Sequence, residues 1–394
     1  DQIDGFFCDG IHAGLKPNGN NDLGFIYTNT PSTVAAIFTE NRFQAAPLKH
    51  FLQYEENFKT NFVLINSKNA NALTGRKGIE DINSLFSQLD FGSLKLINPV
   101  MSSTGVIGNR LPMEKLVAGA KKFDLTSKNG ENLSRAIMTT DAYPKSCMYE
   151  VRLENGSSFK IGAVAKGAGM INPNLATMLC FICTDAAAPY EDIKEALNIN
   201  KETTFNAISV DGDTSTNDTV LLLANGMAEN PEINEKNEDY QKFCEALNYI
   251  NTTLAKKIAG DGEGATALFE VRIIGAESKE QAVTLSKSIV TSSLTKAAIY
   301  GHDANWGRIL CAMGYSGAQF DPEKVDLFFE SKAGKIQIAE DGVALDFSEE
   351  KATEILSQPE VTAIADVKMG DAEATAWGCD LTHGYIEINA DYRS

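Results

Sequence analysis

Basic residues are scarce in this chain of 394 residues, and long apolar runs are absent. Lys and Arg number 35 against 53 Asp and Glu, which gives a formal net charge of −18. Because phosphate groups are bound by basic surfaces, this balance argues against nucleic acid and anionic membranes as partners. No window approaches the roughly 20 apolar residues of a membrane span. The N-terminal residues do not show a basic region followed by an apolar stretch, so we expect no secretory signal.

Cysteine and histidine are too few and too scattered for a disulfide framework or a metal site. The seven cysteines are odd in number, which is typical of reduced thiols in a cytoplasmic protein. Cys180 and Cys183 form a CxxC pair, but strand alternation would point them to opposite faces, and no second pair or nearby histidine completes a zinc site. The four histidines show no metal-ligand spacing. We therefore expect a cytoplasmic protein with no bound metal.

Nucleotide-binding and calcium-binding loops are missing as well. The chain has no G-x-x-x-x-G-K-[ST] motif, and the glycines of 260–264 are interleaved with two carboxylates that would repel a pyrophosphate. The loop 211–218 starts like a calcium loop, but it has Thr216 where glycine is needed and Leu222 where glutamate is needed.

The remaining pattern is that of a mixed α/β protein with layered sheets and outer helices. Hydrophobic residues make up 43% and charged residues 22%, and the length allows two domains. We place the boundaries at 1–270, a larger core, and 271–394, a smaller α+β domain. Apolar runs predict strands and amphipathic runs predict helices. The strands are expected at 62–65, 148–153, 158–165, 178–184, 219–224, 271–274, 324–329 and 385–394, and the helices at 113–123, 190–198, 238–258, 278–293 and 305–314.

Six polar, glycine-containing loops follow or precede these strands. They are 66–75, 102–108, 139–145, 166–177, 211–218 and 260–266. Together they suggest a convergent pocket for a small polar ligand. Within them, backbone amides next to Thr104 and Gly105 are candidates for an oxyanion hole. Lys166 is a candidate to bind a carboxylate or to lower the pKa of a nucleophile. Glu263 is a candidate to pair with a substrate ammonium group or to relay protons. For each residue alone, a surface charge or turn role is the commoner explanation.

Thr177 lies where a flexible loop, Lys166 to Ala176, enters an apolar strand. If the chain is cut just before it, its hydroxyl becomes a nucleophile and its new α-amine becomes the general base. The alternative is that Thr177 merely begins a strand, where threonine is common.

Taken together, these loops resemble the ornithine acetyltransferase family of arginine biosynthesis, also called bifunctional glutamate N-acetyltransferase. The matching motifs run in order over nearly the whole chain, so their joint specificity is very high. They are Asn66-Ser-Lys-Asn-Ala-Asn-Ala, Ser103-Thr-Gly-Val-Ile-Gly, Met138-Thr-Thr-Asp, Lys166-Gly-Ala-Gly-Met-Ile-Asn-Pro-Asn-Leu-Ala-Thr-Met, Ser209-Val-Asp-Gly-Asp-Thr-Ser-Thr-Asn-Asp, Asp261-Gly-Glu-Gly-Ala-Thr, Asn305-Trp-Gly-Arg-Ile-Leu, Ala374-Thr-Ala-Trp-Gly-Cys-Asp-Leu-Thr and Ile388-Asn-Ala-Asp-Tyr-Arg-Ser.

The resemblance implies a precursor that cleaves itself between Ala176 and Thr177 and then uses Thr177 as the nucleophile. It implies acetyl transfer from N-acetylornithine to glutamate through an acetyl-enzyme. Thr104 and Gly105 match the family's oxyanion-hole pair, and Glu263 joins the catalytic residues. The implied substrate contacts are Lys166, Thr177, Glu263, Asn389 and Ser394, with Thr140 added as a guess.

The resemblance also implies an αββα sandwich of the type found in the aminopeptidase DmpA, with a smaller C-terminal domain whose last strand contacts substrate. The two chains are expected to stay intertwined and to form heterotetramers or larger assemblies. No cofactor is implied, although acetyl-CoA is a candidate second donor.

Four positions depart from the family pattern, and they leave the acyl acceptor open. They are Lys68, Ala142, Ala267 and Ala304. Two other functions also remain open at this point. One is an aminopeptidase or amidase on the same fold, in which water accepts the acyl group. The other is a non-catalytic protein whose loops bind an amino acid.

Overall fold

The computed structural model describes residues 2–172, 178–234 and 237–392. The chain forms two compact units. Unit 1 comprises Asp1–Gly167, Asn174–Glu202 and Thr214–Leu254, and unit 2 comprises Ala168–Pro173, Thr203–Asp213 and Ala255–Ser394. This division differs from the expected boundary after residue 270. The chain passes into unit 2 at 255, and two short earlier segments belong to unit 2 because their contacts are made there.

Unit 1 is built on an eight-stranded mixed sheet. Its strands are β1 Phe6–Ile11, β2 Leu23–Phe38, β3 Lys59–Asn66, β4 Val100–Ser103, β5 Lys145–Arg152, β6 Ser158–Lys166, β7 Leu179–Thr184 and β8 Thr219–Ala224. The order is β4-β3-β2-β8-β7-β6-β5, with β1 paired to β2. The β3–β4 and β7–β8 pairs are parallel and the others are antiparallel. β6, β7 and β8 are mostly buried, as their apolar runs require.

Helices flank this sheet because each of them has one apolar side to bury. They are α1 Ala46–Phe51, α2 Gly75–Ser87, α3 Met113–Ala120, α4 Gly130–Ala136, α5 Tyr190–Lys201 and the first part of α6 Glu238–Gly260. The core under α2 and α3 is aromatic. Phe25 lies 6.2 Å from Phe62 and 4.6 Å from Phe123 between ring centroids. This packing holds the ends of β3 and β4, where two of the polar loops begin.

Unit 2 has a second mixed sheet of six strands. They are β9 Leu268–Ala276, β10 Asp326–Ser331, β11 Gly334–Glu340, β12 Val343–Ala344, β13 Glu360–Asp366 and β14 Ala372–Cys379, in the order β12-β11-β10-β13-β9-β14. The helices after α6 are α7 Lys279–Val290, α8 Ser293–Tyr300, α9 Trp306–Gly314, α10 Glu349–Leu356 and α11 His383–Ala390. Alternate β9 residues, Phe269, Val271 and Ile273, share a core with residues of α7, α9 and α10.

The mixed α/β class is confirmed, with two mixed sheets and their helices. The predicted segment 219–224 coincides with β8, and 238–258 lies within α6. The hairpin at 148–165 is also present, because β5 pairs with β6 on either side of the turn at Gly156.

The predicted last strand at 385–394 is wrong, since His383–Ala390 forms α11. Apolar alternation indicates a strand only where one face of the segment is buried. No residue of α11 is buried, and Ile386 is 66% exposed. The alternation of apolar residues in this segment therefore does not mark a face buried in the core. The substrate contact that was predicted for a last strand is now a prediction for a last helix.

Within the described ranges, no helix is both long enough and apolar enough to cross a membrane. The same ranges contain no group of three or more His, Cys, Asp or Glu side chains arranged to hold a metal ion. Cys180 is buried in β7, as expected of a core residue, and it is a free thiol.

Candidate active site

The predicted site residues are divided between the two units. Thr104, Gly105, Thr140 and Lys166 lie in unit 1, whereas Glu263 and Asn389 lie in unit 2. Ala176, Thr177 and Ser394 lie outside the described residues. The two groups of side chains are therefore described separately, as the unit 1 cluster and the unit 2 cluster.

The loop after β4 fits tightly against the loop after β3. The Thr104 N–H donates to Asn66 O at 3.0 Å. At Gly105 the backbone has φ +134°, and a Cβ would lie 2.2 Å from the carbonyl carbon of Lys68, so only glycine fits. Asn217 braces this arrangement by donating to Ala70 O at 2.6 Å and to Ser103 O at 2.8 Å.

This geometry changes the expected role of Thr104. Its backbone amide already has an acceptor in Asn66, so the group it presents is the side-chain hydroxyl. The prediction from the sequence named only backbone amides at this loop and did not include the Thr104 hydroxyl. The signal was present in the residue type, because threonine brings a hydroxyl that glycine lacks.

Lys166 is the centre of the unit 1 cluster. It is 7% exposed, and its Nζ donates to Thr104 Oγ1 at 3.2 Å and to Thr139 Oγ1 at 2.8 Å. Lys166 ends β6 and pairs with Leu179, the first residue of β7. Its ammonium group is thus fixed beside two hydroxyls. Lys166 itself lies opposite the first residue of β7, the strand that follows Thr177.

Thr139, next to the predicted Thr140, provides the hydroxyl on Lys166. The sequence offers two adjacent threonines, and nothing local distinguishes them. The choice depends on the turn of the chain around Asp141, which accepts from the Thr139 N–H at 3.2 Å.

A buried ion pair lies next to Lys166. Asp141 and Lys145 have fully buried side chains, and Lys145 Nζ donates to Asp141 Oδ2 at 2.7 Å. Gly167 N–H donates to the same oxygen at 2.8 Å. Burial alone raises the pKa of Asp141, but the charges of Lys166 and Lys145 and these hydrogen bonds outweigh it, so the pKa lies below its ordinary value. The pair therefore places a carboxylate beside Lys166.

Asp218 is a second buried acid that the sequence analysis did not single out. It directly precedes β8, whose Thr219 pairs with Leu179, and the Thr219 N–H donates to Met178 O. Burial raises the pKa of Asp218 well above its ordinary value, although Ser215 and Lys166 oppose this. Its Oδ2 has no hydrogen-bond partner among the described residues. A buried carboxyl group with a raised pKa therefore lies directly before the first residue of the β7–β8 pairing.

The unit 2 cluster is built around Glu263, which is 6% exposed. Its N–H donates to Ala168 O at 2.9 Å, and its Oε2 accepts from Asn389 Nδ2 at 2.5 Å. A Cβ on Gly169 would lie 2.1 Å from Glu263 Oε1, so this glycine makes room for the carboxylate. Glu263 and Asn389, two of the predicted site residues, are thus in direct contact.

Comparisons with known proteins identify the family of the chain. The ArgJ family model matches residues 7–394. The arginine biosynthesis bifunctional protein ArgJ of Wolinella succinogenes is 47% identical over 393 residues, covering 99% of this chain and 96% of that protein.

The chain belongs to the ArgJ family.

Two solved structures are also similar to this chain. The arginine biosynthesis bifunctional protein of Bacillus halodurans is 44% identical, with a TM-score of 0.52, and the match covers 54% of this chain and 99% of that one. The ornithine acetyltransferase of Mycobacterium tuberculosis, solved with ornithine, is 34% identical, with a TM-score of 0.39 over 44% of this chain and 94% of that one. The present ArgJ-family protein is an acetyltransferase of arginine biosynthesis, as its motifs predicted.

In this ArgJ-family enzyme the polar loops form two groups, one within each unit. The loops 66–75, 102–108 and 139–145 meet around Lys166 in unit 1. The segment that follows Gly167 meets the loops around Asp211 and Glu263 in unit 2.

Proposed function

We propose that the enzyme cuts itself between Ala176 and Thr177 and then uses Thr177 to carry acetyl from N-acetylornithine to glutamate. The observation that carries this proposal is the buried Lys166 ammonium, held against the hydroxyls of Thr104 and Thr139. A buried cation with hydroxyl donors stabilises an oxyanion or a carboxylate, which are the charges that acyl transfer between amino acids requires.

The length of the solved relative supports self-cleavage. A fragment 177–394 would hold 218 of 394 residues, or about 55% of the chain. The Bacillus halodurans chain matches 54% of this chain over 99% of its own length. A chain of that size is what cleavage before Thr177 would release.

In the cleavage step, the Thr177 hydroxyl attacks the carbonyl carbon of Ala176. The Ala176–Thr177 C–N bond breaks, the nitrogen takes the proton from the hydroxyl, and an ester joins Ala176 to Thr177 Oγ1. Water then hydrolyses this ester, leaving an Ala176 carboxylate and a free Thr177 hydroxyl. The new α-amine has an ordinary pKa of about 7.7–8.0, near the working pH of a general base.

Acetyl transfer takes place in two halves. Thr177 Oγ1 attacks the acetyl carbonyl of N-acetylornithine, the amide bond breaks, and ornithine leaves after its amine accepts the proton. Glutamate's amine then attacks the acetyl-threonine ester, which forms N-acetylglutamate and restores the hydroxyl. In this scheme the Thr104 hydroxyl and the Gly105 amide stabilise the tetrahedral oxyanion, while Glu263, Asn389 and Ser394 bind the amino-acid part of the substrates.

Strand order gives a reason for the two chains to remain together after cleavage. β8 and β7, which follow residue 176, lie side by side between β2 and β6, which precede it, so one sheet contains strands from both sides of the proposed cut. We propose that the cut chains form an interleaved pair that assembles into a heterotetramer or larger complex in the cytoplasm. No cofactor enters the scheme, and acetyl-CoA is proposed as an additional acetyl donor.

The test is the intact mass of the purified protein under denaturing conditions, with Thr177→Ala in parallel. We expect fragments of 176 and 218 residues for the wild type and one intact chain without transferase activity for the variant. An active T177A protein would contradict the mechanism. Acetate release that does not depend on glutamate would instead support an amidase, and an uncut, inactive wild type would support a binding protein.

A further inference from the structure

The sheet of unit 2 has one face covered by helices and one face that carries charged side chains. The core-facing residues of β9 point towards α7, α9 and α10. Because successive side chains of a strand alternate between faces, Glu270 and Arg272 lie on the other face. There they line a cavity of about 630 Å³, a size typical of small-molecule sites. Glu263 and Asn389 are not among the described residues that line it, so the cavity is separate from the unit 2 cluster.

Glu270 is held in one orientation by its neighbours across the sheet. The pairing of β9 with β13 and β14 places Thr362 on one side of it and Trp377 on the other. Thr362 Oγ1 donates to Glu270 Oε2 at 3.0 Å, and Trp377 Nε1 donates to Glu270 Oε1 at 2.8 Å. Each oxygen of this carboxylate therefore already has a donor within the sheet.

Arg272 lies two residues further along β9 and is half-buried. Among the residues that the structure describes, its guanidinium group has neither an ion pair nor a hydrogen bond, although Glu330 and Glu360 line the same cavity. Arginines that leave the surface are normally paired, because removing a charge from water is costly. The planar guanidinium group presents parallel N–H donors that match a carboxylate. The cavity therefore offers an unused site for a carboxylate.

The same cavity has carboxylates that are available to cations. Glu330 lies on β10 opposite Thr362, and Glu360 begins β13. Neither forms an ion pair with another described residue. Lys332 also lines the cavity, but it is exposed.

These charges indicate the chemistry of a matching ligand. The three glutamates and the two basic residues that line the cavity leave one excess negative charge. A ligand carboxylate on Arg272 would add another negative charge. A ligand that also carries two cationic groups compensates for both, because Glu330 and Glu360 can each accept one of them.

We propose that this cavity binds a free amino acid with a cationic side chain. Its α-carboxylate lies on Arg272, and its α-ammonium and side-chain cation lie on Glu330 and Glu360. The site does not depend on the proposed mechanism, because none of these three residues takes part in acetyl transfer in that scheme. It is a second ligand site, built on the open face of the unit 2 sheet.

The test is isothermal titration of the purified protein with L-lysine and L-arginine as probes. We expect one saturable site per unit 2, with a Kd of about 1 mM or below. Agmatine, which is arginine without its carboxylate, should bind at least about tenfold more weakly than arginine. Norvaline, which lacks the side-chain cation, should be weakened to a similar extent.

Two variants locate the bound probe. Arg272→Met should weaken lysine binding at least about tenfold, and the isosteric Glu330→Gln at least about fivefold. Lys335→Met is the matched control, because Lys335 lies on the same sheet with its Nζ 4.9 Å from the centroid of the Phe328 ring and is not among the described residues that line the cavity. It should bind lysine as the wild type does. Acetyl transfer without added probe and the melting temperature should stay at wild-type values in all three.

Several results would overturn the site. Titrations in which neither probe gives saturable binding would do so, and so would agmatine that binds as tightly as arginine. Binding that survives in Arg272→Met but is lost in Glu263→Gln would assign the probes to the substrate site instead. If Arg272→Met does not fold, a folded Glu330→Gln protein that binds lysine normally would count against the proposal in its place.

Discussion

The two units hold their site residues in opposite ways. In unit 1, Lys166 is buried beside the Asp141–Lys145 pair, and the loop of its partner Thr104 is braced by Asn217. In unit 2, Glu263 is buried, but its partner Asn389 lies on α11, which has no buried residue. The first cluster is therefore ordered by the core, whereas the second depends partly on an exposed helix. We expect substitutions in unit 1 to affect folding and chemistry, and substitutions in α11 to affect mainly substrate binding.

Removing Asp141 should have the largest effect. Asp141→Ala leaves Lys145 as a buried charge without its carboxylate, which typically costs about 3–5 kcal/mol of unfolding free energy. Glu131→Ala is the control, because its ion pair with Arg135 is exposed on both sides and should contribute little. Denaturant unfolding of both variants measures the difference. Equal losses for the two would contradict the distinction between a buried and an exposed pair.

Lys166→Met should have the next largest effect, which is a loss of catalytic rate. Removing one preorganised charge from an oxyanion-binding site typically lowers kcat by about 10²–10³. Steady-state kinetics of the variant and of Lys160→Met, a change on the same strand, would measure this. Lys160 Nζ donates to the Gln2 carbonyl at 3.1 Å and Lys160 is not in the unit 1 cluster, so near-normal turnover is expected there. A K166M enzyme with normal kcat would remove Lys166 from the mechanism.

The Asp141 carboxylate should also make unit 1 sensitive to acid. Its pKa is lowered in the folded state, so its stabilising contribution is complete above the ordinary pKa of about 4 and is lost as pH falls through the lower, folded-state pKa. The stability difference between wild type and Asp141→Asn should therefore shrink as the pH falls below the ordinary carboxyl pKa of about 4. Urea unfolding at several pH values measures it, and a difference that grows on acidification would have the wrong sign.

Asn389→Ala should have the smallest effect. It removes one hydrogen bond to Glu263, on the order of 1 kcal/mol, which corresponds to roughly a fivefold rise in KM with kcat nearly unchanged. Glu387→Ala on the same exposed helix is the control. If the kcat of Asn389→Ala fell as much as that of Lys166→Met, the contrast between the two units would disappear.

The strands and helices were largely predictable because their signals are local. The apolar run at 219–224 needs only its own residues to indicate β8, and the amphipathic pattern at 238–258 indicates α6 in the same way. The family motifs also identified Lys166 and Glu263 before any geometry was known.

What could not be predicted depends on distant parts of the chain. Thr104 presents a hydroxyl because its amide is bound by Asn66 O, an acceptor 38 residues earlier. Asp141 accepts from the Gly167 N–H, 26 residues further along the chain, because the β5–β6 pairing brings Lys145 opposite Ala165. Lys166 also contacts Thr139, which lies 27 residues earlier in the chain, and α11 formed where alternation predicted a strand.

The hydrogen bond between Tyr385 and Asp211 has a consequence for the timing of folding during synthesis. Tyr385, which donates to Asp211, lies 174 residues further along the chain. At a synthesis rate of about 5–20 residues per second, the ribosome needs roughly 10–35 s to proceed from Asp211 to Tyr385. Until then the segment 209–211 lacks both Tyr385 and the Trp377 carbonyl that holds Ser209. The nascent chain therefore completes the contacts of segment 209–211 only when nearly all of the protein has been made.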